Sequence, residues 1–308
     1  MTAADEELTG RLAQRAAGPG AILERVAVTA LPGGFVAKTV DRLDLTLSAP
    51  GRPSFTASFV RKRCPAREVR TLKAIAGVEA APELIAASVS AAAPEDPEAS
   101  WFVSPFYPGE TLHFGDPIPA AVLTTLARVH AGTIAEPPDW LWTCDAGHID
   151  RLQQGSERAL VASARFKAQT PDHAAWAVRL ATAAASQVLR DAAGQLPRAL
   201  THGDMHPANI MRRADGSAVI IDWGNACLAP PMFDLANIIE LGSPEWSTYV
   251  AAYEAAGGGF DAAIAERAYW WAKAVTGLMY VPWAVDNSDR APALIAQIED
   301  ATARLAAG

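Results

Sequence analysis

The pattern of hydrophobic and polar positions changes character about one third of the way along the chain. Hydrophobic residues recur at every second position over residues 26–30, 43–47 and 55–59, and turns that contain Gly or Pro separate these stretches. A period of two is typical of half-buried strands, so the pattern predicts three antiparallel strands joined by turns. Two further strands are predicted around residues 83–90 and 101–106.

A helical period replaces this alternation in most of the remaining sequence. A short helix is predicted over residues 66–76, because Val69, Leu72 and Ile75 fall on one face and Gly77 follows. The other predicted helices cover residues 120–131, 156–167, 173–191 and 244–256, a segment capped by Asp261, and residues 291–305.

The change of period divides the chain into two predicted domains. Residues 1–106, which include a short N-terminal helix, form a small antiparallel β-rich lobe. Residues 107–308 form a larger, mostly helical lobe. The predicted fold class is therefore α+β. A cleft between two such lobes is a common place for a nucleotide or a small substrate.

Composition narrows the class of protein. Half of the 308 residues are hydrophobic, which indicates a globular chain, and no apolar run approaches the ~18 residues of a membrane helix. The three cysteines are too few and too scattered for a disulfide framework, so a cytoplasmic location is expected. A net charge of −8 argues against nucleic acid as a partner. A monomer or a homodimer is expected.

The excess negative charge lies in the C-terminal two thirds of the chain. Residues 1–108 hold 12 basic and 12 acidic side chains, whereas residues 109–308 hold 14 and 22. Such a field favours a cationic small molecule as a ligand. An acidic surface that only keeps the protein soluble explains the same distribution.

The segment 202–209, which reads HGDMHPAN, has the spacing H-x-D-x-x-x-x-N of a kinase catalytic loop. Phosphoryl transfer needs a carboxylate that orients the attacking hydroxyl and accepts its proton, and this role falls to Asp204. Mg²⁺ needs oxygen ligands, which Asn209 supplies together with Asp222, thirteen positions later. Those thirteen positions accommodate a strand hairpin. We expect His202 to support the loop through hydrogen bonds.

These motifs resemble those of the aminoglycoside phosphotransferase and choline kinase-like family of small-molecule kinases, which share the protein-kinase fold. The resemblance rests on residues 202–209, on residues 221–223 (IDW) and on residues 230–236 (PPMFDLA). It implies a two-lobed, protein-kinase-like fold and an ATP-dependent reaction with Mg²⁺, with GTP as the alternative nucleotide. In that fold the lobe of residues 1–106 is expected to bind the nucleotide, and the lobe of residues 107–308 is expected to hold the catalytic loop and the acceptor. It also implies that Asp234 braces the catalytic loop, whereas the ordinary role of an aspartate at such a position is a helix N-cap.

The resemblance further implies a lysine that binds the phosphates from a strand of the N-terminal lobe, paired with a glutamate on the next helix. Lys62 ends the third predicted strand, on the same face as Ser58, and Glu68 lies on the following helix. Only five residues separate Lys62 from Glu68, and Arg61 and Arg63 are rival cations. A solvated basic strand edge is the alternative explanation.

Two more segments are candidates for nucleotide contacts. Gly33 and Gly34, between the first two predicted strands, would let backbone N–H groups approach the phosphates, although a Pro-Gly-Gly turn is often only a turn. Phe106 lies where an interlobe hinge of the family would bind a purine through backbone groups. The sequence contains no G-x-x-x-x-G-K-[ST] or G-x-G-x-x-G motif, so P-loop and Rossmann folds lack support.

The acceptor site leaves a weaker signal. Aromatic and acidic residues lie near one another toward the C-terminus: Tyr269, Trp270, Trp271, Tyr280, Trp283, Glu240, Glu245, Asp286 and Asp289. Aromatic faces accompanied by carboxylates bind ammonium groups. Packing inside helices is the alternative explanation for the same aromatic residues.

The sequence therefore predicts a kinase that transfers the γ-phosphoryl group of ATP to a hydroxyl of a small, cationic acceptor. An aminoglycoside-like antibiotic, an amino alcohol and a sugar are the candidate acceptors. Two alternatives stay open. A metal-dependent hydrolase would use His202, Asp204, His206 and Asp222 as ligands, although Pro207 disfavours a helical pairing of the two histidines. A catalytically silent kinase-like binding protein would keep the fold without the reaction.

Overall fold

The computed structural model describes residues 3–31, 39–166, 172–286 and 290–307. The chain divides into two compact units. The first unit comprises Met1–Thr111 and Ile210–Asn225, and the second unit comprises Leu112–Asn209 and Ala226–Gly308. The hairpin segment 210–225 therefore packs with the N-terminal part of the chain, although it follows the 202–209 loop directly in sequence.

The helices and strands are numbered in chain order. They are α1 (Ala3–Ala17), β1 (Ile22–Ala30), β2 (Val40–Ala49), β3 (Arg52–Cys64), α2 (Ala66–Ala74), β4 (Ala86–Ser88), β5 (Ser100–Pro105), β6 (Gly109–Thr111), α3 (Ala120–Ile134), α4 (Ala146–Phe166), α5 (Asp172–Ala184), α6 (Gln187–Gln195), β7 (Ala199–Thr201), β8 (Ile210–Arg213), β9 (Ala218–Ile220), β10 (Cys227–Ala229), α7 (Met232–Leu235), α8 (Pro244–Ala255), α9 (Ala262–Asp286) and α10 (Ala291–Ala307). Short 3₁₀ turns cover Pro207–Asn209 and Trp223–Asn225.

The main sheet of the first unit is antiparallel, in the order β1-β2-β3-β5-β4. The three strands predicted from the period of two are confirmed as β1, β2 and β3. Leu43, Leu45 and Leu47 of β2 share one face and are buried in one cluster with Leu8 and Leu12 of α1. Burial of each leucine contributes roughly 1.5–3 kcal/mol, so this face of the sheet forms the core of the unit.

The other face of β3 carries polar side chains. Ser58 and Lys62 alternate with the core residue Phe59, as the period of two requires. After β3 ends, Pro65 occupies the N-cap position of α2, and the first turn of α2 carries Glu68. The short connection therefore returns the chain toward the end of β3, where Lys62 lies.

A smaller antiparallel sheet completes the first unit, in the order β6-β8-β9. A glycine begins β6 for a steric reason, because a Cβ atom at Gly109 would collide with the backbone carbonyl of Arg212 in β8. The backbone N–H of Ile220, in β9, donates to the carbonyl of Ala80 at 2.8 Å. This bond ties the β8–β9 hairpin to the segment that follows α2.

The second unit is mostly helical, with β7 and β10 paired antiparallel. Its longest helix, α9, contains Pro282, which has no N–H group to donate to the carbonyl of Leu278 one turn earlier. The hydroxyl of Ser156, in α4, donates to that carbonyl at 2.7 Å. The serine therefore satisfies a buried acceptor that the proline leaves open.

Two helix predictions in the second unit were wrong in extent. The helix predicted from Ser156 begins ten residues earlier, at Ala146, where the side chain of Asp145 accepts from the N–H of His148 at 2.9 Å. The single helix predicted over 173–191 is two helices, α5 and α6. The guanidinium of Arg190 donates to the carbonyls of Ala184 and Ser186 at the break.

No helix in the described part of the chain is long and apolar enough to cross a membrane. The three cysteines, Cys64, Cys144 and Cys227, are all buried free thiols.

Candidate active site

The 202–209 loop follows β7 and is held by a buried aspartate. Asp234 lies inside α7, whose N-cap is Pro231, so Asp234 does not cap that helix. Its Oδ2 atom accepts from the backbone N–H of His202 at 2.7 Å, and its Oδ1 atom accepts from that of Gly203 at 3.1 Å. Two backbone groups of the loop are thus fixed by one carboxylate.

A buried chain of hydrogen bonds supports Asp234 in turn. Nε2 of His130, in α3, lies 3.1 Å from Oδ2 of Asp234, and Nδ1 of His130 lies 2.9 Å from the hydroxyl of Tyr249 in α8. Burial raises the pKa of Tyr249 well above its ordinary value, so the tyrosine stays a proton donor. With the Tyr249 hydroxyl donating to Nδ1, the Nε2–H group of His130 donates to the carboxylate of Asp234.

Within the 202–209 loop, the side chain of His202 bonds to the loop backbone. Its ring is fully buried, and its Nδ1 atom accepts from the N–H of Asp204 at 3.3 Å. The side chain of Asp204 is about one-quarter exposed. Oδ1 of Asp204 accepts from the hydroxyl of Tyr280, in α9, at 2.7 Å. The sequence placed Tyr280 among possible acceptor contacts and gave no sign of this bond.

The amide orientation of Asn209 is set by its neighbours. Its Nδ2 group donates to the carbonyl of Asp204 at 2.8 Å and lies 3.2 Å from Nε2 of His206. Because the nitrogen is used in this way, the oxygen of the amide is directed away from these partners. An oriented amide oxygen is a ligand that Mg²⁺ accepts.

In the first unit, Lys62 and Glu68 form a buried ion pair. Nζ of Lys62 lies 2.7 Å from Oε1 of Glu68, and their side chains are 10% and 1% exposed. The separation of five residues is therefore long enough for the pair to form. Arg61, a rival candidate, points to the core face and contacts Asp5 of α1 at 3.1 Å.

Lys62 also contacts Asp222, at the end of the β8–β9 hairpin. Nζ of Lys62 lies 2.6 Å from Oδ1 of Asp222. Burial lowers the pKa of Lys62, but the charges of Glu68 and Asp222 outweigh burial and leave this pKa above its ordinary value. The lysine therefore stays positively charged throughout the neutral range.

The backbone of Asp222 is strained. Its φ of 63° is the one positive value of a non-glycine residue in the described part of the chain. Such a conformation costs on the order of 1–3 kcal/mol and persists where neighbours fix it. Besides Lys62, the guanidinium of Arg67 fixes this segment, because its Nε group donates to the carbonyl of Gly224 at 2.8 Å. Lys62 of β3 and Arg67 of α2 thus hold the segment 222–224.

A model of the phosphotransferase enzyme family matches residues 20–270, which is more than half of the chain. The chain belongs to the phosphotransferase enzyme family. No curated protein matches the chain. Membership confirms the resemblance predicted from the motifs and identifies the protein as a small-molecule phosphotransferase. The antiparallel N-terminal region and the helical C-terminal region agree with the protein-kinase-like fold of this family.

Solved structures similar to this member of the phosphotransferase enzyme family include several kinases. The choline kinase from Cryptosporidium parvum Iowa II is 10% identical, with 98% of this chain and 97% of that chain covered and a TM-score of 0.59. The macrolide 2'-phosphotransferase from Brachybacterium faecium is 18% identical, with 97% and 98% covered and a TM-score of 0.49. At 10% identity the first likeness shows a shared fold.

Three other residues of this phosphotransferase were predicted to contact the nucleotide: Gly33, Gly34 and Phe106. Gly33 and Gly34 lie outside the described residues. The N–H of Phe106 donates to the carbonyl of Ser58 at 3.0 Å, and the guanidinium of Arg42 lies 4.2 Å from the centre of the Phe106 ring. A purine contact through Phe106 would therefore use its carbonyl and not its N–H group.

The residues predicted for the acceptor divide between core and surface. Tyr269 and Trp271 are fully buried, and the Tyr269 hydroxyl donates to Glu240 at 3.0 Å. Packing is therefore the explanation that the structure supports for these two rings. Trp283 is 45% exposed, and the guanidinium of Arg290 lies 6.0 Å from its ring centre. Asp289 and the side chain of Asp286 lie outside the described residues.

The hydrolase alternative finds no support in the geometry. Its four candidate ligands, His202, Asp204, His206 and Asp222, are all described. No group of three or more His, Cys, Asp or Glu side chains in the described part of the chain is placed to hold a metal ion. His202, moreover, is fully buried and bonded within its own loop.

Proposed function

We propose that this phosphotransferase transfers the γ-phosphoryl group of ATP to the hydroxyl of a small acceptor, with Asp204 as the base. GTP is the alternative nucleotide. The observation that carries the proposal is the double contact of Lys62 with Glu68 and Asp222. It gives a buried, permanently charged donor for the nucleotide phosphates, next to a carboxylate suited to a metal ion.

The donor set fits Mg²⁺. Asn209 has its amide nitrogen engaged by the Asp204 carbonyl, which turns its oxygen away as a ligand. The side chain of Asp222, which lies beside Lys62, is 37% exposed. We propose that Asn209 and Asp222 hold the ion. When bound, Mg²⁺ would neutralise charge on the phosphates during transfer.

The remaining chemistry is assigned to the chain itself. As the acceptor oxygen bonds to the γ-phosphorus, the bond to the β–γ bridging oxygen breaks, ADP leaves, and the hydroxyl proton passes to Asp204. Lys62 holds the phosphates and is itself held by Glu68. Asp234 keeps the loop in place through the N–H groups of His202 and Gly203. The rate then depends mainly on positioning and on charge stabilisation.

The acceptor class follows from charge and not from fold, because one fold serves many acceptors. Residues 109–308 carry 14 basic and 22 acidic side chains, which favours a cationic acceptor such as an aminoglycoside or an amino alcohol. We also infer a cytoplasmic location, where the three free, buried cysteines would stay reduced.

The direct test compares Asp204→Asn with a matched control, Asp191→Asn, at an exposed position of α6. ADP release from Mg·ATP is measured against a panel of aminoglycosides, macrolides, amino alcohols and sugars. We expect Asp204→Asn to lower turnover at least about 10³-fold while nucleotide binding persists, because removal of the base spares the phosphate contacts. The control should keep wild-type turnover. Equal turnover in Asp204→Asn and wild type would remove Asp204 as the base.

The panel also separates the kinase from a silent binding protein. Turnover with at least one acceptor class supports the proposal. Binding of Mg·ATP without ADP release on any member of the panel would favour the silent protein. Tightly bound, stoichiometric zinc in the purified protein would instead favour a metal-dependent hydrolase.

A further inference from the structure

We propose that Tyr280 is a positioning residue for Asp204: its hydroxyl holds the carboxylate in the orientation that receives the acceptor proton. The inference rests on the proposed function, in which Asp204 is the base. It starts from the 2.7 Å hydrogen bond between the Tyr280 hydroxyl and Oδ1 of Asp204. The two residues lie in α9 and in the 202–209 loop, elements far apart in sequence.

The environment of Tyr280 makes this bond a fixed feature of the second unit. The Tyr280 ring meets the His206 ring edge-on, with the ring centres 6.5 Å apart. Two residues earlier in α9, the carbonyl of Leu278 is bonded to Ser156 of α4. Helix α9 is therefore anchored within one turn of Tyr280, and the ring is held against the loop that it serves.

The chemistry of the pair suits positioning and not proton transfer. Burial, and then the negative charge of Asp204, raise the pKa of the Tyr280 hydroxyl above its ordinary value, so this hydroxyl remains a donor at working pH. A hydroxyl donor to one carboxylate oxygen restricts rotation of the carboxylate. A base held in one orientation meets the acceptor hydroxyl in a productive geometry more often. Small displacements from that geometry lower the reaction rate strongly.

Tyr280→Phe is the sharpest variant, because it removes the hydroxyl and keeps the ring beside His206. With the acceptor that gives the fastest ADP release from Mg·ATP, or with water as the acceptor, we expect kcat to fall about tenfold or more. The KM values for acceptor and ATP and the thermal midpoint should change little. A purely structural role would instead lower the thermal midpoint and leave the kcat of the folded fraction unchanged.

The matched control is Tyr253→Phe, which removes a buried tyrosine hydroxyl from α8. No hydrogen bond joins that hydroxyl to the 202–209 loop in the part of the chain that the structure describes. The control should therefore keep kcat within twofold of wild type. The change in kcat of Tyr253→Phe measures the general effect of losing a buried tyrosine hydroxyl. That change is subtracted from the change in kcat of Tyr280→Phe.

A double-mutant cycle tests whether Tyr280 acts through Asp204. Asp204→Glu displaces the carboxylate by one methylene, so the bond to Tyr280 is already disturbed. In that background Tyr280→Phe should cost less than about twofold, and the two losses should not multiply. Multiplying losses would overturn the inference, and so would a Tyr280→Phe rate within twofold of wild type.

The two proposals fail in different ways. If Asp204→Asn keeps full turnover, the base itself is wrong and the proposed function fails. If Asp204→Asn is inactive but Tyr280→Phe is fully active, the proposed function stands and the role of Tyr280 falls.

Discussion

Nζ of Lys62 lies 2.6 Å from Oδ1 of Asp222, although 160 positions separate the two residues. The lysine ends a strand, and the aspartate follows a hairpin that joins the first unit late in the chain. Because Glu68 contacts the same Nζ atom, two carboxylates share one buried cation. Loss of that cation should affect both stability and nucleotide binding.

Lys62→Met should lower the free energy of unfolding by about 3–5 kcal/mol, because it leaves the Glu68 carboxylate buried without its cation. Adding Glu68→Leu should restore much of this loss, since no buried charge then remains. Chemical denaturation measures both changes. Lys73→Met, at an exposed position of α2, is the control and should change stability by less than about 0.5 kcal/mol. Mg·ATP should stabilise the control but neither Lys62 variant.

The hydrogen bonds that support Asp234 lead to a second prediction, which concerns the stacked rings of Tyr249 and Tyr253. The rings of Tyr249 and Tyr253 lie 5.8 Å apart, and only the hydroxyl of Tyr249 reaches His130. Tyr249→Phe should lower the free energy of unfolding by about 1–3 kcal/mol, because His130 loses a buried hydrogen-bond partner. Tyr253→Phe should cost less than about 0.5 kcal/mol. Equal costs, measured by denaturation, would show that the chain of bonds through His130 contributes nothing specific.

A third prediction concerns how the stability of the protein depends on pH. Burial, and then the charge of Arg151, lower the pKa of His148 below 6.5 in the folded state. The unfolded chain therefore binds this proton first, and stability falls as the pH drops below about 6.5 until it passes the folded-state pKa. The slope cannot exceed about 1.4 kcal/mol per pH unit for one proton. Denaturation at a series of pH values should show this decline, and His148→Gln should flatten it. An identical slope in His148→Gln would exclude His148 as its origin.

Two tryptophans of the predicted acceptor cluster should behave in opposite ways. Trp271→Ala should cost about 3–5 kcal/mol of stability, because the ring is fully buried and its Nε1 group donates to the carbonyl of Leu189. Trp283→Ala should change stability by less than about 1 kcal/mol, because the ring is half exposed. If Trp283 binds the acceptor, the acceptor KM should rise severalfold while the KM for ATP stays constant. An unchanged acceptor KM would assign Trp283 to the surface alone.

Local patterns predicted much of the fold. The period of two located β1, β2 and β3, and the helical spacing after Pro65 located α2. The break between α5 and α6 left no such signal, because neither Gly nor Pro marks it. There Arg190 satisfies the carbonyls of Ala184 and Ser186 and also contacts Asp150 of α4. A helix end that depends on a side chain and a neighbouring helix is not encoded by spacing alone.

The candidate site likewise contains one contact that could be expected from the sequence and one that could not. The Lys62–Glu68 pair was expected from the resemblance to the family, whereas the short separation of five residues counted against it; the structure shows the contact at 2.7 Å. The contact of Tyr280 with Asp204 depends on how α9 packs beside the loop, which no periodicity specifies. Helical spacing identifies which side chains share a face, but it does not identify the residue that the face meets.

The bond from Ser156 to the carbonyl of Leu278 has a consequence for how this sequence can vary. Loss of the serine alone leaves a buried acceptor unsatisfied, whereas replacement of Pro282 by a residue with an N–H group makes the serine redundant. The residues at positions 156 and 282 should therefore change together during evolution. In an alignment of related chains their identities should covary, and that covariation alone would reveal that α4 lies against α9.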